Sequence, residues 1–316
     1  MRARSGTVVV VNPLSQGGKT HKLWPQHRET ILGAYGPFEH VFTERAGDGT
    51  DKARAALQGG AELVIAMGGD GTINEVVNGF FDAAGKPISA TASFAVLNAG
   101  TGGDFRKSLG VPLDLAEAAA RIKGATPRRI DVGRLNYIDH QSRPASRYFI
   151  NIASFGLSGL VDRYVNQSTK ALGGTLSFAM ATIRAGINYK NASISMRLDG
   201  GPAKEGRIYT VAVANGRYFG GGMYVAPNAE IDDGLFDVVT LGDFSFGDVL
   251  LRGLDIYSGK HLTNPKVTVV RASKVEVEPL AGNSDVLLDV DGEQIGRLPA
   301  TFEILKGGLQ VRFPKL

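Results

Sequence analysis

The chain has 316 residues, 43% hydrophobic and 21% charged, with a formal net charge of +4; that length exceeds what one core usually sustains, and the composition is ordinary for a globular protein. It has no cysteine, which excludes disulfides, thiolate metal sites and a cysteine nucleophile and fits a reducing cytoplasm. The mild basicity suits a lipid surface, nucleic acid or a phosphorylated substrate and singles out none of them.

The basic start Met1-Arg2-Ala3-Arg4 precedes an apolar run too short for a secretory signal, so residues 8–11 read as a buried strand ended by Asn12 and Pro13. Residues 19–32 have helical character and stop near Gly33. A strand at 38–43, a polar turn at 44–48 and a helix through Leu57 follow. Residues 63–67 are a third buried strand, stopped by Gly68 and Gly69. Beyond it Ile73, Val76, Val77 and Phe80 share one helical face. Residues 94–97 are a further strand and 113–122 a further helix. This rhythm implies a parallel sheet covered by helices, and wholly apolar strands fit burial on both faces.

Near Asp131 the texture changes. Residues 148–153, 192–198, 207–214, 235–241, 266–270, 274–278 and 286–290 read as strands, interrupted by helical stretches at 172–187 and 246–258. The segment 172–187, broken by Gly173, Gly174 and Arg184, is the nearest approach to a membrane span and falls short of one; with Phe178 and Met180 it reads as a core helix, with an interfacial role as the alternative. The expected architecture is an α/β domain at 1–131, onto which a short C-terminal segment is able to pack back, followed by a β-sandwich at 132–316.

Four stretches carry chemistry. Met67-Gly68-Gly69-Asp70-Gly71-Thr72-Ile73-Asn74-Glu75 lies where a buried strand meets a helix, the ligand-binding edge of an open parallel sheet. Its glycines let a phosphate chain approach backbone amides, and the helix start favours an anion. Asp70 would repel phosphate and therefore reads as a ligand or orienter of the divalent cation that accompanies ATP. Asn12-Pro13-Leu14-Ser15-Gln16-Gly17-Gly18-Lys19-Thr20 nearly matches a Walker A loop, but Pro13 stands where its first glycine belongs and cannot build the phosphate cradle. The loop remains a place where amides and Lys19 meet phosphates. A third glycine-rich loop, Asn98-Ala99-Gly100-Thr101-Gly102-Gly103-Asp104-Phe105, again follows a strand. In Asp289-Val290-Asp291-Gly292-Glu293, Asp291 and Glu293 are candidates to accept a hydroxyl proton, and position alone does not choose between them.

Asn12-Pro13 with its Gly-Lys loop, the string Gly-Gly-Asp-Gly-Thr-Ile-Asn-Glu-Val-Val-Asn-Gly at 68–79, Gly-Thr-x-x-Asp-Phe at 100–105 and Asp-Gly-Glu at 291–293 resemble the catalytic domain of the diacylglycerol kinase family, which includes bacterial soluble lipid kinases and the sphingosine and ceramide kinases. The resemblance covers almost the whole chain. It implies a NAD-kinase-like α/β domain followed by a β-sandwich, with the active site in the cleft between them. It implies ATP and Mg2+, with Asn12, Pro13, Lys19, Thr43, Gly69, Asp70, Gly71, Thr72, Ile73, Asn74, Glu75, Thr101 and Asp104 around the nucleotide. Asp70 matches the family's essential aspartate, and Asp291 and Glu293 its proton-accepting pair. Asp104 and Asp131 match acids networked with a structural magnesium, and the loop 227–235 resembles the one that binds this ion, through the Asp233 side chain and backbone oxygens of Glu230 and Leu235. Where the family has Pro-x-Gly-Thr-x-Asn-Asp-Phe, this chain has Asn98 for the proline and Gly103 for the asparagine, which bears on the identity of the lipid.

The implied activity is transfer of the γ-phosphoryl group of ATP to a lipid hydroxyl, with diacylglycerol as acceptor and other lipid alcohols as alternatives. A NAD kinase shares Gly-Gly-Asp-Gly-Thr, and a nucleotide- or lipid-binding protein without catalysis is the non-enzymatic alternative. The expected partners are a membrane lipid and, transiently, an anionic membrane surface on the cytoplasmic side, not nucleic acid. The sequence is silent on oligomeric state and admits a homodimer.

Overall fold

The computed structural model describes residues 6–99, 103–161, 189–282 and 285–314. The expected helix at 172–187 and Thr101 with its two flanking glycines lie outside them. The chain divides into two units, one of residues up to Ile130 and from Gly307 onward, the other Asp131–Lys306.

The first unit is built on four strands, β1 (Thr7–Val11), β2 (Glu39–Phe42), β3 (Leu63–Gly68) and β4 (Ser93–Asn98), paired in parallel in the order β2-β1-β3-β4. Every residue of β1 and β3 is buried, as strands covered on both faces require. The helices are α1 (Lys19–Ala34), α2 (Asp48–Gln58), α3 (Asp70–Asn78), α4 (Asp104–Ser108) and α5 (Leu115–Gly124). Trp24 of α1 meets Phe38, His40 and Phe42, which seats that helix on the edge strand β2. α5 starts later than its apolar spacing suggests, because the Asp114 carboxylate accepts from the Glu117 amide at 2.8 Å and caps the helix there.

The second unit is nearly all strand: the body of β5 (Arg128–Asp139), β6 (Pro144–Phe149), β7 (Ile152–Gly156), β8 (Ala192–Leu198), β9 (Lys204–Ile208), β10 (Thr210–Ala214), β11 (Phe236–Leu241), β12 (Val267–Ala272), β13 (Lys274–Pro279), β14 (Leu287–Val290) and most of β15 (Glu293–Val311). One sheet path runs β12-β11-β10-β7-β14-β15, and β13, β8 and β9 extend from β15. Alternation sorts the core. Val211 and Val213 of β10, Ala153 and Phe155 of β7, and Phe236 and Val238 of β11 enter one apolar cluster. Their neighbours Ala212, Ala214, Ile152 and Val239 enter a second cluster on the opposite face. Strands buried on both faces lose the polar alternation that marks β13, where Val275 and Val277 are buried and the charged residues that flank them are not.

Several expected boundaries change. The strand read at 148–153 is two, because β6 ends at Phe149 and β7 begins at Ile152. The strand read at 207–214 is likewise two: at Tyr209 the chain leaves the ladder and its amide bonds to the Leu241 and Gly242 carbonyls. The helix read at 246–258 is α-helical only as α6 (Phe246–Arg252) and continues as a 3-10 turn, Gly253–Tyr257. β15, 19 residues long, escapes a local reading because its glycines and Pro299 look like turn chemistry. Its end lies in the first unit, where Val311 pairs in parallel with Phe94. Among the described residues no helix is long and apolar enough to cross a membrane.

Phe302 is fully buried, stacked on Phe155 at 5.9 Å between ring centroids and edge-on to Phe149. Phe302→Ala should cost about 3–5 kcal/mol. Urea unfolding would show this as a lowered midpoint, and an unchanged midpoint would remove Phe302 from the core.

Candidate active site

In the first unit β1, β2, β3 and β4 end on the same edge, so the loops that follow them emerge together. Three side-chain links gather these loops around the start of α3. The Asn12 amide after β1 donates to Thr72 Oγ1 at 3.0 Å. The Glu75 carboxylate accepts from the Gly47 and Gly49 amides, at 2.7 and 2.9 Å, at the N-terminus of α2. The Asp70 carboxylate accepts from the amides of Gly103 and Asp104 at Oδ2 and of Phe105 at Oδ1, at 3.0, 3.2 and 3.3 Å. Close approach explains one glycine of the string: a Cβ at Gly68 would lie 2.4 Å from Thr72 Oγ1.

Asp70 is thus an organiser of the third loop. Its carboxyl pKa is raised, by burial first and by the charge of Asp104 second, while the three amides pull the other way. Asp104 is itself buried and paired with Lys107 Nζ at 2.8 Å. The guanidinium of Arg106, close to both acids, bonds to the Val111 carbonyl; nothing in the local sequence singled it out.

Other expected nucleotide residues divide by exposure. Gly69, Gly71 and Pro13 keep partly open surfaces. Thr72, Ile73 and Asn74 are buried, with Ile73 and Asn74 turned wholly into the unit, so they support α3 and do not offer side chains to a ligand. Thr43 is buried at the end of β2, its amide bonded to the Val11 carbonyl. The 12–20 loop also differs from expectation. The amides of Leu14, Ser15, Gly18 and Lys19 donate within the loop, so they are not a phosphate cradle. Gln16, Gly17 and Gly18 all take positive φ, and for Gln16 this costs about 1 kcal/mol. The Lys19 ammonium is exposed at the start of α1 and makes no ion pair among the described residues, which suits it to an anionic ligand.

In the second unit Asp291 and Glu293 sit in the turn between β14 and β15. Asp291 takes the left-handed conformation (φ 48) and is pinned to β7: its Oδ1 accepts from the Ile152 amide at 3.0 Å, and its own amide donates to the Ile152 carbonyl. Glu293 is held by Arg147 of β6 at 2.5 Å. Sequence reasoning missed Arg147, which carries no local signal. It also passed over Asp289, whose carboxylate accepts from Ser154 Oγ at 3.0 Å and from the Gly292 amide at 2.9 Å and so braces the turn.

Protein groups tie the expected cation loop to the fold. Asp131 Oδ2 accepts from the Gly234 amide at 2.6 Å, and its amide donates to the Ile231 carbonyl. Asp233 Oδ1 accepts from the Leu235 amide, and Oδ2, next to the Arg271 guanidinium, is buried without a hydrogen-bond partner. Glu230 is exposed. Asp104 lies in the first unit, and Asp131 is the first residue of the second. Among the described residues no three histidine or acidic side chains are grouped to hold a metal ion.

Comparison with known proteins agrees with this architecture. Residues 6–135 match the diacylglycerol kinase catalytic domain, and residues 151–313 match the YegS C-terminal NAD kinase beta sandwich-like domain. A diacylglycerol kinase of Bacillus subtilis is 30% identical over 97% of this chain and 96% of its own length. A diacylglycerol kinase of Staphylococcus carnosus is 29% identical over 97% of this chain and 94% of its own. A Bacillus anthracis structure, solved as a candidate diacylglycerol kinase, superposes with a TM-score of 0.74 at 26% identity, covering 97% of this chain and 96% of that one. A yeast NADH kinase bound to NADH, 10% identical with a TM-score of 0.50 over 100% of this chain and 85% of its own, shares the fold. The match to the diacylglycerol kinase catalytic domain, with diacylglycerol kinases similar over nearly the whole chain, makes this a lipid kinase. The chain belongs to the diacylglycerol kinase family.

Gly103 accounts for one departure from the family string. It takes φ +68, and a Cβ there would lie 2.6 Å from Asn98 Oδ1, so the glycine and the asparagine are matched to one another. Gly103→Ala should destabilise by about 1–3 kcal/mol from the left-handed conformation and the contact together. Adding Asn98→Ala should return the contact part only, and strict additivity of the two changes in urea unfolding would refute the match. For Asp70 the sign is set by its raised pKa: ionisation costs stability above the folded-state pKa, and that cost disappears as the pH falls toward the ordinary carboxylate value of about 4. Asp70→Asn should therefore flatten stability against pH between those limits; a parallel curve would show that Asp70 titrates normally.

Proposed function

We propose that this chain transfers the γ-phosphoryl group of ATP, taken up with Mg2+, to a hydroxyl of a membrane lipid, with diacylglycerol as acceptor and phosphatidic acid as product. The observation that carries the reading is the gathering of strand-end loops on α3 through Asn12, Glu75 and Asp70, in a chain whose family members are diacylglycerol kinases. In this reading the first unit binds the nucleotide. The exposed Lys19 meets its phosphates, and Asp70 holds the Gly103–Phe105 amides in place so that the acidic pair Asp70 and Asp104 faces the incoming cation in a fixed arrangement. The cation belongs to the nucleotide substrate and lowers the charge on the transferred group.

The second unit supplies the base. As the acceptor oxygen bonds to phosphorus and the bridging oxygen leaves with ADP, the hydroxyl proton passes to a carboxylate at the β14–β15 turn. Arg147 engages Glu293, which favours Asp291 as the proton acceptor and Glu293 as its electrostatic neighbour. A lipid acceptor requires work at a membrane surface, reached from the cytoplasmic side by peripheral contact.

The test is transfer of radiolabelled γ-phosphate from ATP into mixed-micelle diacylglycerol, ceramide, sphingosine and monoacylglycerol, with NAD alongside. Label is expected in diacylglycerol. Asp291→Asn should lower kcat by about 10²–10⁴, with a smaller loss for Glu293→Gln. Label in ceramide or sphingosine alone would change the acceptor. Label in NAD alone would overturn the lipid assignment, and label in nothing would favour a binding protein.

A further inference from the structure

α6 and the 3-10 turn that follows it are apolar on two sides at once. Val249 and Ile256 pack against the second apolar cluster of the sandwich. Leu251, Leu254 and Tyr257 do not: they are 86%, 82% and 51% exposed. Their spacing of three sets them in a row, since side chains three apart are neighbours on an α-helix and lie one above the other in a 3-10 turn. A lone exposed leucine is ordinary on a protein surface. Two leucines and a tyrosine in a row, on a segment already held to the core by its other side, are not explained by packing.

The charge around this row has one sign wherever it is free. Arg252 lies between the two leucines and Lys260 three residues beyond the tyrosine; both are exposed and make no ion pair among the described residues. The acids of the segment are engaged elsewhere. Asp248 closes the cap of α6 with Ser245 and pairs with Lys266 at 2.7 Å, and Asp255 is partly buried beside the buried His261. An apolar row flanked by free cations is complementary to an anionic bilayer, where apolar side chains enter the acyl boundary and cations stay with the headgroup phosphates. A tyrosine at the end of the row suits the headgroup level, with its ring in the apolar layer and its hydroxyl in water.

The segment is also tied to the surroundings of the β14–β15 turn. The Tyr224 amide donates to the Ile256 carbonyl at 2.9 Å, and His261 Nε2 lies 3.0 Å from the Val225 carbonyl. Earlier in the same loop the Tyr218 carbonyl accepts from the Asn151 side chain at 2.8 Å, one residue before Ile152, to which Asp291 is pinned. We propose that Leu251, Leu254 and Tyr257, with Arg252 and Lys260 beside them, form the face through which this chain docks on an anionic membrane. The proposal rests on reading the phosphoryl acceptor as a membrane lipid, and it names the surface that carries the second unit to it.

The test is co-sedimentation of the full-length chain with vesicles of phosphatidylcholine mixed with phosphatidylglycerol, and with phosphatidylcholine alone, in the absence of nucleotide. The wild-type chain should pellet with the mixed vesicles, and less so at raised salt. Leu251→Gln combined with Leu254→Gln should lower the partition by about tenfold or more. Arg252→Gln combined with Lys260→Gln should remove the preference for anionic lipid. Kinetics separate docking from chemistry: the leucine variant should lose transfer to diacylglycerol held in vesicles and keep wild-type transfer to a short-chain diacylglycerol dispersed as monomers. A wild-type chain that ignores both kinds of vesicle, or a leucine variant that partitions like wild type, overturns the docking face. If the leucine variant does not fold, Tyr257→Ser and the arginine–lysine variant decide by the same sedimentation. A wild-type chain that binds the vesicles but phosphorylates diacylglycerol in neither form leaves the docking face standing and overturns the acceptor instead.

Discussion

The N-terminal half of α3 carries half-buried carboxylates that the surrounding loops satisfy. A carboxylate enclosed in protein is costly unless donors reach it, and backbone amides are the donors that cannot move away. Asp70 obtains three of them from one loop, and Glu75 two from another. Each carboxylate in turn decides where its loop runs. A helix of nine residues thereby ties down three separate chain segments. Gly68 is needed because Thr72 approaches it closely, and the buried Thr72, Ile73 and Asn74 anchor the helix in its unit.

The acids of the second unit are arranged on a different principle. The β14–β15 turn is short and its register is irregular, so its direction is set by side chains. Asp289 and Asp291 each bond to β7, at Ser154 and Ile152, and Glu293 is drawn to β6 by Arg147. The left-handed Asp291 is the conformational cost of that arrangement, borne by a residue type that tolerates it better than most. Two carboxylates in one turn, one fastened by an amide and the other by a guanidinium, are chemically unlike despite their sequence proximity.

Local features of this chain were legible and distant partners were not. Glycines around Asp70, a β-branched run before Asn12 and an apolar helical face after Gly71 are statements about the backbone nearby, and they lead to the fold class and to loops at strand ends. What those loops bond to depends on residues far along the chain. Asp70 read as a ligand or orienter of a cation because its charge repels phosphate; the amides of Gly103–Phe105 that it accepts from belong to a different strand end. The 12–20 loop read as a source of amides, whereas Asn12 and the carbonyls of Leu14 and Ser15 use those amides internally. Arg147 and Arg271 gain meaning only through the strands opposite them. β15 was unreadable for the opposite reason: its glycines and proline are turn formers that pairing with β4, β5, β13 and β14 overrides.

The end of β15 also bears on how the protein is made. The second unit is one continuous stretch of chain, complete once Lys306 has left the ribosome, whereas the first unit begins at the N-terminus yet takes its last sheet partner from residues that follow Gly307. Until then the exposed flank of β4, with Phe94 on it, has no neighbour. The order of synthesis is thereby the reverse of the order of completion: the part of the chain that emerges first is the last to close, and the first unit cannot be finished on a nascent chain that still lacks this strand.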